Sequence, residues 1–288
     1  MRTLVSACPN DMNVNDVAVH RQLDTDFPTT AQEIPELRPL EQLPEPPADE
    51  DGSAGYLRRV FWATEEENRR AILRMLPSRP GARLLDLGTH DGEFTVRVAK
   101  RLRAGAVQGV ELLDVHAEIA RRRGIDVRVG DIDEGLPFED GSCDVVHANQ
   151  VIEHIRRTDS FLSEVRRVLA PNGLVCLSTN NLSSWHNVIS LALGWQPMPI
   201  HVSDDLILGN PLNPEHGDRH RDAGRTHLRL FTARALAELC EYHGLTKVST
   251  KTVGYYPLPP RVARVATRID PVHGAFLIGL FRRETSRG

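Results

Sequence analysis

Cysteine is scarce in this sequence, and long apolar runs are missing from it. The 288 residues include only four cysteines, Cys8, Cys143, Cys176 and Cys240, with no Cys-x-x-Cys pair. This spacing argues against a disulfide framework or a zinc knuckle and favours a reducing cytoplasm. No apolar run reaches the roughly 18–20 residues that span a bilayer. The N-terminus also lacks the charged-then-apolar pattern of a secretory signal.

The sequence has no excess of basic residues either. It carries 35 Lys and Arg against 39 Asp and Glu, a net charge of −4. Residues 1–55 hold 11 acidic and 3 basic residues, which leaves the rest of the chain only weakly basic. Proteins that bind nucleic acids usually concentrate basic residues on one face. We therefore expect no nucleic-acid partner, although a local site for an anionic ligand stays open.

Two regions differ in composition. Residues 1–52 contain seven prolines and no sustained apolar period, which predicts an extended, solvated arm. The arm is either a flexible tail or a flap that folds over a site or a partner. Residues 53–288 are expected to form one folded domain, because the hydrophobic fraction of 40% suffices for a core.

Short apolar strands alternate with amphipathic helices from residue 56 onward. This alternation predicts an α/β fold with a mostly parallel, seven-stranded sheet flanked by helices. The expected strands are Arg83–Leu87, Ala106–Leu112, Ile125–Val129, Cys143–Ala148, Leu174–Ser178, Leu245–Val253 and Gly274–Phe281. The expected helices are Tyr56–Leu76, Glu93–Arg103, Asp114–Arg123, Ser160–Leu169 and Thr232–His243. The last two strands are close enough in sequence to form an antiparallel pair at the sheet edge.

Regularity lapses after the fifth strand. The stretch from about 181 to 228 mixes prolines, glycines and five of the twelve histidines, His186, His201, His216, His220 and His227. A long segment without clear structure in a compact domain is often a functional lid. We expect it, together with the first helix, to close over a site.

A glycine-bearing turn lies between the first strand and the following helix. Residues 86–92 read Asp-Leu-Gly-Thr-His-Asp-Gly. Such a turn lets a ligand approach the backbone and the amide groups of the helix N-terminus. Glu111 ends the next strand, where a carboxylate can accept both hydroxyls of a ribose. Asp86 is unsuited to a pyrophosphate but suited to the ammonium of an aminoacyl group.

These residues resemble the class I S-adenosylmethionine-dependent methyltransferases, over about residues 53–253. The resemblance also covers the adenine-side pair Asp131-Ile132, the fourth strand with its loop at 144–155, and the turn and fifth strand at 167–179. It implies S-adenosylmethionine as cofactor, held by Asp86, Gly88, Thr89, Gly92, Glu111, Leu112, Asp131, Ile132 and Asn149. One departure is His90, which stands where the family has its middle glycine and is expected to narrow the methionine end of the pocket.

His154 is the candidate catalytic base, because it follows the fourth strand at the edge where an acceptor meets the methyl group. An aliphatic hydroxyl needs a base or a metal to take its proton. Some family members hold a divalent metal with a Glu-x-x-Glu-His motif here. This chain has Gln150, Glu153 and His154 at those positions. These residues are weak metal candidates, since Gln supplies no charge.

The expected reaction is O-methylation of a small-molecule hydroxyl, on a sugar, glycan or natural product. N- or C-methylation on the same fold is the first alternative and would not need such a base. A non-catalytic protein that binds the cofactor or a partner is another. We also expect a cytoplasmic protein and, from base rates alone, a possible homodimer.

Overall fold

The computed structural model describes residues 52–219 and 227–284, so the predicted arm at 1–52 lies almost wholly outside the described residues. Seven strands form a single sheet in the order β3-β2-β1-β4-β5-β7-β6. The strands are β1 (Arg83–Leu87), β2 (Ala106–Glu111), β3 (Asp126–Val129), β4 (Cys143–Asn149), β5 (Leu169–Asn180), β6 (Leu245–Val253) and β7 (Phe276–Arg283). The helices are α1 (Ser53–Met75), α2 (Glu93–Leu102), α3 (Asp114–Arg122), α4 (Thr158–Val168), α5 (Trp185–Ala192), α6 (Ala233–Tyr242) and α7 (Pro260–Ile269).

The sheet is mostly parallel, as the alternation of strands and helices predicts. Strands β3, β2, β1, β4 and β5 pair in parallel, whereas β7 is antiparallel to both β5 and β6. The antiparallel β6–β7 pair was expected at the sheet edge. Strand β7 is inserted between β5 and β6, so only β6 lies at that edge.

Alternate residues of each central strand enter two separate cores. Leu84 and Val145 belong to the core that contains Ile72 of α1. Their neighbours Leu85 and Val146 point to the opposite face and pack into the core that contains α4 and α6. Burial on both faces explains why these strands are almost continuously apolar rather than alternating.

Some predicted boundaries were wrong. Strand β5 begins at Leu169 rather than Leu174 and extends to Asn180, so the preceding helix ends at Val168. The segment after β5 is not uniformly irregular, because it contains α5. Two residues of α5, Ile189 and Leu191, are about half exposed. Apolar residues on the exposed face remove the periodicity by which the helix would have been detected.

Candidate functional site

The glycine turn after β1 is folded against β2. The backbone N–H groups of Gly88 and Thr89 both donate to the Val110 carbonyl, at 2.9 and 3.1 Å. Gly88 has φ of +74°, and a Cβ on it would lie 2.6 Å from Cγ2 of Val151. Both the backbone conformation and the crowding therefore require glycine at this position.

Glu111 is the carboxylate that fixes this turn. Its side chain is buried and accepts hydrogen bonds from the backbone N–H groups of His90, at 2.8 Å, and Leu113, at 3.1 Å. Each oxygen receives one of these bonds, which leaves lone pairs for further donors. The structure thus places Glu111 at the carboxyl end of β2, directly beside the glycine turn.

The residues predicted for the nucleoside side come together around one cavity of about 530 Å³. Its walls include Gly88, Glu111, Leu112, Asp131, Ile132 and Asn149. Asp131 caps a short 3-10 turn, Ile132–Glu134, through the N–H of Asp133. It also forms an ion pair of 3.1 Å with Arg156, a residue that sequence reasoning missed.

A second cavity of about 420 Å³ adjoins the first. The two share Gly88, His90 and Asn149 in their walls. Thr89 and the buried pair Asp86 and His147 also line the second cavity. Asp86 accepts a hydrogen bond from the Thr95 hydroxyl, and its other oxygen lies 2.6 Å from Nδ1 of His147. Gly92 lines neither cavity; a Cβ there would meet Ile125 at 2.6 Å, so it serves the packing of α2.

His90 does not fill the cavity that it borders. Its side chain is 58% exposed, and its ring lies 3.9 Å from that of His116 at a tilt of 46°. The residue has φ of +50°, a region that suits glycine better than histidine. The pKa of the Asp91 carboxyl is lowered to about 2, mainly by its hydrogen bond with Nδ1 of His90. His90 therefore forms part of the rim.

Helix α1 forms part of the wall of the second cavity. The buried side chain of Asn68 donates to Oδ1 of Asn149, and its own Oδ1 accepts from the Ser178 hydroxyl, both at 3.0 Å. These bonds tie α1 to the ends of β4 and β5. Glu65 lies one turn before Asn68, and burial raises the pKa of its carboxyl. The positive charge of Arg69 lowers this pKa, and the negative charge of Glu215 raises it further.

His154 lines the larger cavity, on the wall that continues from Asn149. Glu153, His154 and His227 each offer a ligand atom, and these atoms lie within 4.8 Å of one another. The rings of His154 and His227 are 4.8 Å apart, and the ring of His201 lies 5.5 Å from that of His227. One of the five histidines predicted in the lid, His227, thus approaches the candidate base, and His201 lies next to His227.

Glu153 is fully buried, and burial raises its pKa to about 7. Oε2 accepts a hydrogen bond from Thr179 at 2.9 Å, whereas Oε1 has no hydrogen-bond partner among the described residues. Burial, followed by the proximity of His154, lowers the pKa of His227 to about 4. The site therefore contains a carboxyl group that is poorly solvated as an anion and an imidazole that stays neutral.

Of the three predicted metal candidates, Glu153 and His154 belong to this cluster, and Gln150 is engaged elsewhere. Its Oε1 accepts a hydrogen bond from Asn180 at 3.2 Å. His227 supplies the third ligand atom instead. A carboxylate with two imidazoles suits zinc or another transition metal better than Mg²⁺.

Known proteins resemble both the sequence and the fold. A family model described as a methyltransferase domain matches residues 56–250. A 37.1 kDa protein in transposon TN4556 of Streptomyces fradiae is 30% identical over 165 residues, 53% of this chain and 46% of that protein. A methyltransferase of Schizosaccharomyces pombe is 32% identical over 148 residues, 46% of this chain and 52% of that one. The matches thus span about half the length of these relatives.

Solved structures share the architecture. An S-adenosylmethionine-dependent methyltransferase from Mesorhizobium loti superposes with a TM-score of 0.51 at 18% identity, covering 74% of this chain and 96% of that one. At this identity the likeness concerns the fold alone. No helix of the described residues is long and apolar enough to cross a membrane.

Proposed function

Since the chain belongs to the class I S-adenosylmethionine-dependent methyltransferases, we propose that it transfers a methyl group from this cofactor to a hydroxyl group of a small molecule, such as a sugar, a glycan or a natural product. The observation that carries the proposal is the position of His154. It lines the same cavity as Glu111, Asp131 and Asn149. A base there is close to both the cofactor side and the acceptor side of the pocket.

The residues present fit the cofactor. Gly88 lies in the walls of both cavities and carries no side chain, and Glu111 sits in the wall of the larger cavity at the end of β2. We assign the ribose hydroxyls to Glu111, the adenine to Leu112, Asp131 and Ile132, and the methionine end to the neighbourhood of Asp86 and Asn149. When bound, S-adenosylmethionine supplies a methyl group made electrophilic by its sulfonium.

The chain itself contributes a proton acceptor and a shielded environment. An imidazole nitrogen of His154 takes the proton of the acceptor hydroxyl as the oxygen attacks. His227 stays neutral, since burial lowers its pKa to about 4, and so it adds no positive charge to oppose the one that His154 acquires. The walls of the cavity would also hold the acceptor hydroxyl in place, which contributes through proximity and orientation.

We propose that α1 and the segment at 181–228 cover the site as a lid. Arg58 of α1 donates to the Pro214 carbonyl at 3.0 Å and pairs with Asp218 at 2.8 Å. At the other end of the segment, the N–H of Leu228 donates to the Glu153 carbonyl at 2.8 Å. The residues between, 220–226, include His220 and lie outside the described part of the chain.

The compartment proposed for this enzyme is the cytoplasm, with the chain acting on its acceptor as a monomer or homodimer. The thiols of Cys143, Cys176 and Cys240 are unpaired and buried, as is usual for proteins of a reducing compartment.

The first test is calorimetric titration with S-adenosylmethionine and S-adenosylhomocysteine. The wild type should bind both, and Asp86→Ala and Glu111→Ala should lose binding. His243→Ala is the matched control, because His243 pairs with Asp159 and lines neither cavity. Wild-type protein that binds neither compound at millimolar concentration contradicts the proposal and favours a partner-binding protein instead.

The second test separates O-methylation from the alternatives. S-Adenosylhomocysteine release is measured over matched panels of hydroxyl and amine acceptors, with His154→Ala and the His243→Ala control. A hydroxyl acceptor whose turnover falls roughly 10²- to 10⁴-fold in His154→Ala supports the base. Turnover of an amine or carbon acceptor that survives the substitution identifies an N- or C-methyltransferase.

The cluster of Glu153, His154 and His227 favours one further version, in which these residues would hold a divalent metal that would supply Lewis-acid activation of the acceptor hydroxyl. The same assay in EDTA, with Zn²⁺ or Mn²⁺ then restored, decides between the two versions. Turnover that is lost in EDTA and regained with metal assigns His154 as a ligand. Turnover that is indifferent to EDTA assigns it as the base.

A further inference from the structure

We propose that His147 contacts the amino group of the cofactor's methionine moiety, and that Asp86 is the positioning residue behind it. The inference rests on the proposed cofactor binding and adds a specific residue to it. Sequence reasoning gave the ammonium directly to Asp86. The geometry of strands β1 and β4 points instead to the neighbouring imidazole.

Asp86 and His147 are cross-strand neighbours. They lie in register on the parallel strands β1 and β4 and point to the same face of the sheet. Nδ1 of His147 lies 2.6 Å from Oδ1 of Asp86, while Oδ2 of Asp86 accepts the Thr95 hydroxyl. Each oxygen of the carboxylate therefore already has one partner, and these two partners fix the carboxylate beside the imidazole.

The carboxylate sets the tautomer of His147. A hydrogen bond to a carboxylate requires the proton on Nδ1, and in the tautomer that carries this proton alone Nε2 has a lone pair and acts as an acceptor. His147 is 1% exposed, and Nε2 has no hydrogen-bond partner among the described residues. An unpaired buried polar atom is costly, so this nitrogen is the natural place for a donor from a ligand.

His147 lines the cavity of about 420 Å³ that adjoins the nucleoside side of the site. Phe94 packs edge-on against the imidazole at 5.4 Å, which holds the ring in place. The cavity also contains Arg97, whose guanidinium pairs with Glu66 through its terminal nitrogens but leaves its Nε–H without a partner. One unpaired acceptor and one unpaired donor in the same cavity match the ammonium and carboxylate of an amino acid.

Other charged groups border this cavity, namely Glu65, Arg69, Asp91 and Glu93. Asp91 is already paired with Arg123 at 3.0 Å, and Glu93 lies on the first turn of α2. Asp91 therefore already has a cationic partner, whereas Glu93 stays a rival acceptor in the wall of the cavity. Glu65 is the other rival, because its partly buried carboxylate lies in the wall of the same cavity.

The test compares S-adenosylhomocysteine with its analogue in which the amino group is replaced by hydrogen, by calorimetric titration. The wild type should bind the parent compound roughly 10- to 100-fold more tightly, as expected for a charge-assisted hydrogen bond. His147→Leu should weaken binding of S-adenosylhomocysteine and leave binding of the analogue almost unchanged. The ratio of the two affinities should then fall to about threefold or less. Glu65→Gln should retain the wild-type ratio.

Two controls keep the result interpretable. His243→Leu removes a histidine that also pairs with an aspartate, at 2.9 Å, outside both cavities, and should keep the full ratio. Should His147→Leu not fold, the milder His147→Gln is titrated, and ¹⁵N-histidine spectra of the wild type are recorded. Saturation with S-adenosylhomocysteine should shift the Nε2 resonance that is missing from His147→Gln, whereas the deaminated analogue should not.

The outcomes separate this inference from the proposed function. Wild-type protein that binds neither S-adenosylhomocysteine nor the analogue contradicts the proposed function itself. Wild-type protein that binds both equally, or a His147→Leu variant that still discriminates fully, overturns the role of His147 and leaves cofactor binding intact. If Glu65→Gln rather than His147→Leu no longer distinguishes S-adenosylhomocysteine from the analogue, the ammonium is assigned to Glu65 of α1.

Discussion

The charge state of Glu153 should be visible in the stability of the whole protein. Burial raises the pKa of this carboxyl from an ordinary 4.5 to about 7. The folded state therefore binds the proton more tightly than the unfolded state between pH 4.5 and 7. The free energy of unfolding falls as the pH rises through this interval, because the native protein must then either give up that proton or hold it unfavourably.

The magnitude follows from the shift. One pKa unit corresponds to about 1.4 kcal/mol, so a shift of this size corresponds to about 3 kcal/mol. Glu153→Gln keeps the shape of the neutral acid and has no proton to lose. As the pH rises from 4.5 to 8, the free energy of unfolding of Glu153→Gln should therefore increase by about 3 kcal/mol relative to that of the wild type.

The assay is urea unfolding followed by circular dichroism at several pH values, in EDTA, with m-values compared to confirm that the transition is unchanged. Glu164→Gln is a control of opposite sign, because Arg167 holds the pKa of Glu164 below its ordinary value. That variant should lose stability relative to the wild type above pH 4.5 and recover it on acidification.

A stability difference between Glu153→Gln and the wild type that stays constant from pH 5 to 8 would refute the reasoning. Added Zn²⁺ or Mn²⁺ provides a second readout. If Glu153 is a ligand, the metal should stabilise the wild type at pH 8 and leave Glu153→Gln unaffected, because a cation relieves the cost of the buried anion. If the metal stabilises both equally, it binds elsewhere.

Two further predictions concern the architecture of the site. Gly88→Ala should lower the free energy of unfolding by about 1–3 kcal/mol and abolish binding of S-adenosylhomocysteine, since φ is +74° and the new Cβ would lie 2.6 Å from Val151. Thermal unfolding measures the first effect and calorimetry the second. Unimpaired binding would show that a side chain is tolerated at this position. Asn68→Leu should cost about 2–3 kcal/mol by leaving Asn149 and Ser178 without their partner. Urea unfolding measures that loss against Glu67→Gln on the same helix, and equal stabilities would show that the bridge from α1 contributes nothing.

The central fold could be predicted from the sequence because its signals are local. Strands β1 and β4 are short apolar runs, and the glycine turn after β1 needs a backbone conformation that few other residues adopt. The carboxyl ends of parallel strands meet at one edge, so residues that follow several strands converge there. Glu111, Asp131 and Asn149, which the family resemblance implies as cofactor ligands, follow or end strands at this edge and line one cavity.

The partners of these residues could not be predicted, because they come from distant parts of the chain. Asn68 meets Asn149 across 81 residues, and the histidine that approaches His154 follows it by more than seventy. His147 did carry a signal, as a polar residue within the apolar run of β4. That signal shows an unusual position without showing that the ring pairs with Asp86.

The distribution of unpaired polar atoms supports a ligand site built around β4. Of the six buried side-chain atoms without a hydrogen-bond partner among the described residues, three are Nε2 of His147, Nε2 of Gln150 and Oε1 of Glu153. All three belong to β4 or to the turn that follows it, although buried polar groups are normally paired. Unpaired buried groups lower the free energy of unfolding of the protein. A ligand that binds the folded state and pairs these groups raises that free energy again. The end of β4 is therefore the place where binding and folding should be most strongly coupled, with the cofactor on the His147 side and the acceptor on the Glu153 side.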